Sequence, residues 1–144
     1  MRLVAGALRW AAESPQAIGQ TYDLTDAKVL SFRDLWSALA NTLGVQIGPD
    51  APLSMAEYIP AHAAVWQHIV ERHDLARIPM TTLLGESHHD ADMCFAYGAT
   101  ASPPPLCVST VKIRQAGFTA AWNTEESSCH WLRDLIARRI LPPA

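Results

Sequence analysis

Apolar residues change their spacing several times along the chain, and each change marks an element. Leu3, Val4, Ala7, Leu8 and Ala11 recur at helical spacing. They predict a first helix that ends at Ser14-Pro15, because the residue before a proline resists the helical region. From Gln20 to Asp26 the period drops to two and places Tyr22 and Leu24 on one side, which predicts a short strand. From Ser31 the helical period returns in Phe32, Leu35, Trp36, Leu39 and Leu43. Ser31 is placed to cap this helix, Asp34 stands at the capping-box position and Gly44 ends it.

The stretch Gly48-Pro49-Asp50-Ala51-Pro52 interrupts any regular structure, and Ser54 to Tyr58 then predicts a short helix stopped at Pro60. Trp66, Ile69, Val70 and His73 mark the face of another helix. Met80 to Gly98 sets Leu83, Leu84, Met93, Phe95 and Tyr97 around a polar insert, Glu86-Ser87-His88-His89-Asp90, and reads as helix and loop. Ala99 to Pro105 is a loop, because three successive prolines remove backbone donors. Ser109 to Gln115 predicts a short helix ended by Gly117. The last helix has Thr124 as cap, Glu125 and Glu126 in its first turn, Leu132, Leu135 and Ile136 on its core face, and Arg138 and Arg139 in its last turn before Pro142-Pro143.

With 144 residues, about half of them apolar, the chain has material for a single core. Its formal charge of −3 provides no basic field to hold a nucleic-acid backbone. Cys94, Cys107 and Cys129 are odd in number and form no C-x-x-C pair, which favours reduced thiols and a cytoplasmic setting. The apolar stretch between Arg2 and Arg9 is too short to span a membrane, and no small-x-small cleavage site follows it as a signal peptide requires.

The chemistry-bearing residues do not assemble into a recognised catalytic pattern. His88 and Asp92 fall one turn apart if helical, yet no H-E-x-x-H spacing occurs, so a metal site is not expected. Cys129 and His130 are neighbours and point apart on a helix, so they make no dyad. G-x-S-x-G, G-x-G-x-x-G and the phosphate-binding P-loop are all missing. Of the five tryptophans, Trp36, Trp66 and Trp131 lie on predicted apolar faces, and most of the five are expected in the core.

Two segments do carry a likeness. Gly19-Gln20-Thr21-Tyr22-Asp23-Leu24-Thr25-Asp26, followed by Ser31-Phe32-Arg33-Asp34-Leu35-Trp36 and ending at Leu43-Gly44, resembles the strand-loop-helix of the extended short-chain dehydrogenases. Ser109-Thr110-Val111-Lys112-Ile113-Arg114-Gln115-Ala116-Gly117-Phe118, followed by Thr124-Glu125-Glu126, is similar to that superfamily's closing segment and final helix. Within it, the Trp36 helix, Ala91-Asp92-Met93-Cys94-Phe95-Ala96-Tyr97-Gly98 and the Ser109-to-Phe118 segment resemble bacterial relatives of progesterone 5-beta-reductase and iridoid synthase. Asp23 replaces the usual Asn, and Asp26-Ala27 replaces a polar residue with Gly, so alanine stands where glycine adopts a positive φ freely.

The resemblance implies a helix-rich α/β fold, the C-terminal portion of an extended short-chain dehydrogenase, with a short strand or two from the Rossmann sheet and a mainly helical substrate lobe. Residues 1–44 would be the Rossmann remnant, 45–108 the substrate lobe and 109–144 the closing segment of one partial domain. The full-length family uses NADPH to reduce small apolar carbonyl or enone substrates. This chain lacks the glycine-rich turn and the Tyr-x-x-x-Lys motif, so it is expected to be inactive alone. Trp66, His88, Phe95 and Tyr97 are the candidate pocket walls, since each joins aromatic area to a place between the family-like segments. The first helix and strand should leave a Rossmann-side face open, which gives a non-catalytic, self-associating module as the alternative reading.

Overall fold

A computed structural model describes residues 2–26, 31–101, 104 and 106–143. Eight α-helices follow one another among them: α1 (Arg2–Glu13), α2 (Phe32–Leu43), α3 (Met55–Ala61), α4 (Ala63–Arg72), α5 (Met80–Leu84), α6 (Ser87–Cys94), α7 (Val111–Gln115) and α8 (Thr124–Ala137). A single 3₁₀ turn, Pro15–Ala17, follows α1. The chain divides into two compact units, Met1–Leu35 with Pro105–Ser128, and Trp36–Pro104 with Cys129–Ala144.

The first unit is built around Leu3, Ile113 and Phe118, all buried, with Ala7, Trp10, Tyr22 and Leu24 packed against them. Its centre is a helix end. Gly117, at φ 105°, turns the chain out of α7, so that the Gly117 and Phe118 N–H groups donate to the Arg114 and Ile113 carbonyls. This is a Schellman closure, and its hydrophobic pair is Ile113 with Phe118. Trp10 meets Phe118 at 5.7 Å and the edge of Tyr22 at 5.5 Å.

Tyr22 and Leu24 do share a face, as the two-residue alternation predicts, but no strand occurs among the described residues. Residues 20–26 form no regular element and are held by side chains. The Tyr22 hydroxyl donates to the Gln16 carbonyl at 2.6 Å and Lys112 Nζ donates to the Thr21 carbonyl at 2.9 Å. A strand needs a neighbour to satisfy its backbone groups, and none is assigned here. Ala27, the departure from the family's glycine, lies outside the described residues, as do positions 102, 103 and 105 of the proline-rich loop.

Unit two repeats the same closure. The Asp74 and Leu75 N–H groups donate to the Glu71 and Val70 carbonyls at the end of α4, and Val70 and Leu75 are both buried. Gly44 and Val45 end α2 on Asn41 and Ala40 in the same way, Ala96 and Tyr97 end α6 on Met93 and Asp92, and Arg139 and Ile140 end α8 on Ile136 and Leu135. At three of these turns the left-handed residue is not glycine: Asp74 (φ 48°), Ala96 (φ 53°) and Arg139 (φ 57°). Two of them are tied together, because Arg139 Nη2 reaches Asp74 Oδ2 at 2.8 Å and the Ala76 N–H donates to the Arg139 carbonyl at 2.7 Å.

Several boundaries differ from expectation. The helix begun at Ser54 passes through Pro60 and ends at Ala61, since a proline near a helix end removes only one donor of the last turn. The cap of α8 is Asn123, whose Oδ1 accepts from the Glu125 and Glu126 N–H groups, so Thr124 already belongs to the helix. Arg138 and Arg139 lie just past it. The Ser31 and Asp34 capping box of α2 forms as predicted, with the Ser31 N–H donating to Asp34 Oδ2 at 2.8 Å and the Asp34 N–H donating to Ser31 Oγ at 3.3 Å.

The tryptophans are the clearest correction. Trp36, Trp122 and Trp131 are 49%, 39% and 41% exposed, and Trp10 and Trp66 are half-buried. None occupies a core centre, because the buried positions are mostly small or aliphatic residues of helix interiors and ends. Cys129 is buried on α8, its Sγ 3.6 Å from the Ala38 carbonyl.

Candidate functional site

The four residues singled out in the sequence all lie in the second unit. Trp66 is on α4, His88 on the first turns of α6, Phe95 caps the C-terminus of α6 and Tyr97 follows the left-handed Ala96. Trp66 and His88 are half-buried, whereas Phe95 and Tyr97 are about half exposed. Three of the four therefore belong to one element, α6 with its closing turn.

What holds α6 in place is a residue that sequence reasoning passes over except as a metal candidate. Asp92 lies against the start of α3, where Oδ2 accepts from Ser54 Oγ at 2.6 Å and from the Ala56 N–H at 3.3 Å, and Oδ1 accepts from the Met55 N–H at 2.6 Å. Ser54 is buried and in turn caps α3, its Oγ accepting from the Glu57 N–H at 3.2 Å. The Ser54 hydroxyl holds the Asp92 carboxyl below its ordinary pKa; partial burial opposes this, and the Met55 and Ala56 N–H groups and nearby His89 reinforce it. The sequence signal for this clamp is the Ser54 cap alone, since its carboxylate comes from a distant helix.

The histidines distribute themselves without converging. His88 and His89 have ring centroids 4.3 Å apart, and His89 Nε2 lies 3.8 Å from Glu86 Oε2. His62 stacks on Tyr58 at 4.0 Å, with its Nδ1 2.7 Å from the Tyr58 carbonyl. Among the described residues no three His, Cys, Asp or Glu side chains are grouped so as to hold a metal ion, and no helix is long and apolar enough to cross a membrane.

Among the described residues, no glycine turn offers a dinucleotide's pyrophosphate a suitable helix N-terminus. Five of the seven glycines take a positive φ in turns. The one of these shortly ahead of a helix, Gly85, leads into α6, which has Glu86 at its N-cap and Asp90 in its first turn. A pyrophosphate needs N–H groups free of competing carboxylates at that point.

No family model matches the chain. Curated relatives do. The chain is similar to proteins named (S)-8-oxocitronellyl enol synthase. The one from Antirrhinum majus is 29% identical over 128 residues, 87% of this chain and 31% of its own length. Those from Camptotheca acuminata and Nepeta cataria are 21% and 23% identical, each over 97% of this chain and over 35% and 34% of their own lengths. The chain thus spans about a third of the length of these relatives. The resemblance to relatives of iridoid synthase and progesterone 5-beta-reductase, read from the Trp36 helix, residues 91–98 and residues 109–118, is borne out by these matches.

Proposed function

We propose that this chain is the substrate-binding portion of an NADPH-dependent reductase of the extended short-chain dehydrogenase type, with the cofactor and the catalytic Tyr and Lys supplied by residues outside it. The observation that carries this reading is the alignment of nearly the whole chain with about a third of three enol synthases. In it, α6 and α4 present Trp66, His88, Phe95 and Tyr97 to a small apolar carbonyl or enone substrate, and residues 20–26, which form no strand in this chain, would become one by pairing with a Rossmann sheet. NADPH would supply the hydride, and this chain would shape and orient what receives it.

Titrating the chain with NADPH, followed by nucleotide fluorescence, tests the division of labour. No saturable binding is expected, and a submicromolar affinity would overturn it. In-frame coding sequence ahead of Met1 that carries a glycine-rich turn and Tyr-x-x-x-Lys is the genetic counterpart of the same test.

A second reading, a self-associating module without catalysis, draws on the apolar side chains that the first unit leaves open: Val4 (51% exposed), Leu8 (68%) and Ile18 (78%). Light scattering across a concentration series separates the two. A concentration-dependent dimer that Leu8→Lys disperses supports self-association, and a monomer throughout opposes it.

A further inference from the structure

Most of the longer helices are held by burial. α1, α4, α7 and α8 bury Leu3, Val70, Ile113 and Cys129, and α2 buries Leu35 and Ala40. α6 differs: none of its eight residues is buried, no side chain caps its N-terminus, and its Met93 is 74% exposed. Its directional tie to α3 is Asp92, which accepts from Ser54 Oγ and from the Met55 and Ala56 N–H groups. The same residue closes the helix behind it, because the Asp92 carbonyl accepts from the Tyr97 N–H at 2.9 Å. One residue thus connects α3 to the turn that carries Phe95 and Tyr97.

The segment is bracketed by two glycines with positive φ, Gly85 at 51° and Gly98 at 75°. A Cβ at either would meet open space, so it is the backbone and not packing that calls for glycine there. Residues at the ends of elements that adopt such angles freely absorb the φ and ψ changes of a hinge. The bonds that cross them are local to each turn: Ser87 Oγ donates to the Leu84 carbonyl across Gly85, and the Ala99 N–H donates to the Ala96 carbonyl across Gly98. Between the two glycines, His88 Nδ1 is closed off from solvent without a hydrogen-bond partner, a cost that ends once water reaches it.

We propose that residues 85–98 form a hinged flap, seated on α3 by the Asp92 carboxylate and able to leave it as one body while the rest of its unit stays folded. A segment with little burial, glycine at both ends and a polar tie opens at a lower free energy than the core of its unit. Seating is close to all-or-none, because three bonds share one carboxylate. Opening strips the Met55 and Ala56 N–H groups of their acceptor, yet α3 keeps its own cap, Ser54 Oγ on the Glu57 N–H, and its junction with α4 at His62. His88, Phe95 and Tyr97 travel together on the flap, and Trp66 stays behind on α4. The motion is a property of the fold and stands whether or not the substrate-binding reading does.

Amide hydrogen exchange of the full chain, followed by ¹H–¹⁵N NMR, tests the flap. In the wild type the Phe95, Ala96 and Tyr97 N–H groups should share one opening with those of Met55 and Ala56. Their protection should be about tenfold or more below that of Leu75 and Phe118, which donate to the Val70 and Ile113 carbonyls at the buried helix ends. Asp92→Asn keeps the shape of the side chain but removes its charge, and should lower protection at both segments by about a further tenfold, with Leu75 and Phe118 unchanged. Gly85→Ala, strained in the seated form at φ 51°, should act in the same direction more weakly.

If Asp92→Asn does not fold, the wild-type profile decides. Protection at residues 95–97 equal to that of Leu75 would overturn the flap, since only global unfolding would then expose them. Low protection at 95–97 without the same opening at Met55 and Ala56 would overturn it as well, because that pattern describes a helix fraying by itself.

Discussion

The two units solve the same problem with different materials. In the first, residues far apart in sequence meet through apolar contact: Leu3 of α1, Ile113 of α7 and Phe118 beyond it, with Trp10 and Tyr22 around them. Unit two has apolar pairs at its helix ends, but polar clamps fix its longer-range geometry, Asp92 on the start of α3 and Arg139 on Asp74. An apolar cluster tolerates adjustment, whereas a carboxylate seated on two N–H groups and a hydroxyl fixes distance and direction. The unit with directional ties is the one that carries Trp66, His88, Phe95 and Tyr97, and the binding surface proposed for them would need such rigidity.

The largest losses of stability are expected in the first unit. Phe118→Ala should destabilise the chain by about 3 kcal/mol, read as a lower urea midpoint with loss of the near-ultraviolet signal of Trp10; a change under about 1 kcal/mol would mean that Phe118 is not the centre of that core. Gly117→Ala attacks the same centre through the backbone. At φ 105° an alanine is strained although its Cβ would meet nothing closer than Trp10 Nε1 at 4.0 Å, so a loss of about 1–2 kcal/mol is expected in the same assay.

The polar unit should respond more mildly and with a pH signature. Ser54→Ala removes the cap of α3 and the hydroxyl that donates to Asp92, and about 1 kcal/mol should be lost. The lowered pKa of Asp92 in the folded state means that its stabilising contribution is complete above the unfolded carboxylate's value. It is lost as the pH falls through the folded value. Urea midpoints of the Asp92→Asn chain should therefore depend less on pH than the wild type below about pH 4 and run parallel to it above about pH 5; parallel curves throughout would contradict the clamp. The smallest effect is a gain: Ala96→Gly relieves the left-handed turn after α6 and should raise stability by about 0.5 kcal/mol.

Helix positions were legible because they depend on neighbours three and four residues away. Leu3 with Ala7, Leu35 with Leu39 and the Ser31 and Asp34 box all fell where the spacing put them. Residues 20–26 show where such reading stops: the alternation of Tyr22 and Leu24 correctly gives a shared face, but a ladder requires a second strand that the local pattern does not contain. Trp36 and Trp131 misled for a related reason. Helical spacing says which side of a helix is apolar, not how far another element reaches across it, and both indoles lie on open flanks. The candidate site was legible as a list of aromatic residues; its framing by Asp92 was not, because the pairing with Ser54 closes over 38 residues.

That same carboxylate has a consequence in time. Ser54 and the first turn of α3 leave the ribosome well before Asp92 does, and the bonds to Met55 and Ala56 close over 37 and 36 residues. A seven-residue helix is marginal by itself, so α3 waits, half-specified, for a part delivered later. Its formation should coincide with that of α6 as one kinetic step, with a rate set by the closing of the intervening chain.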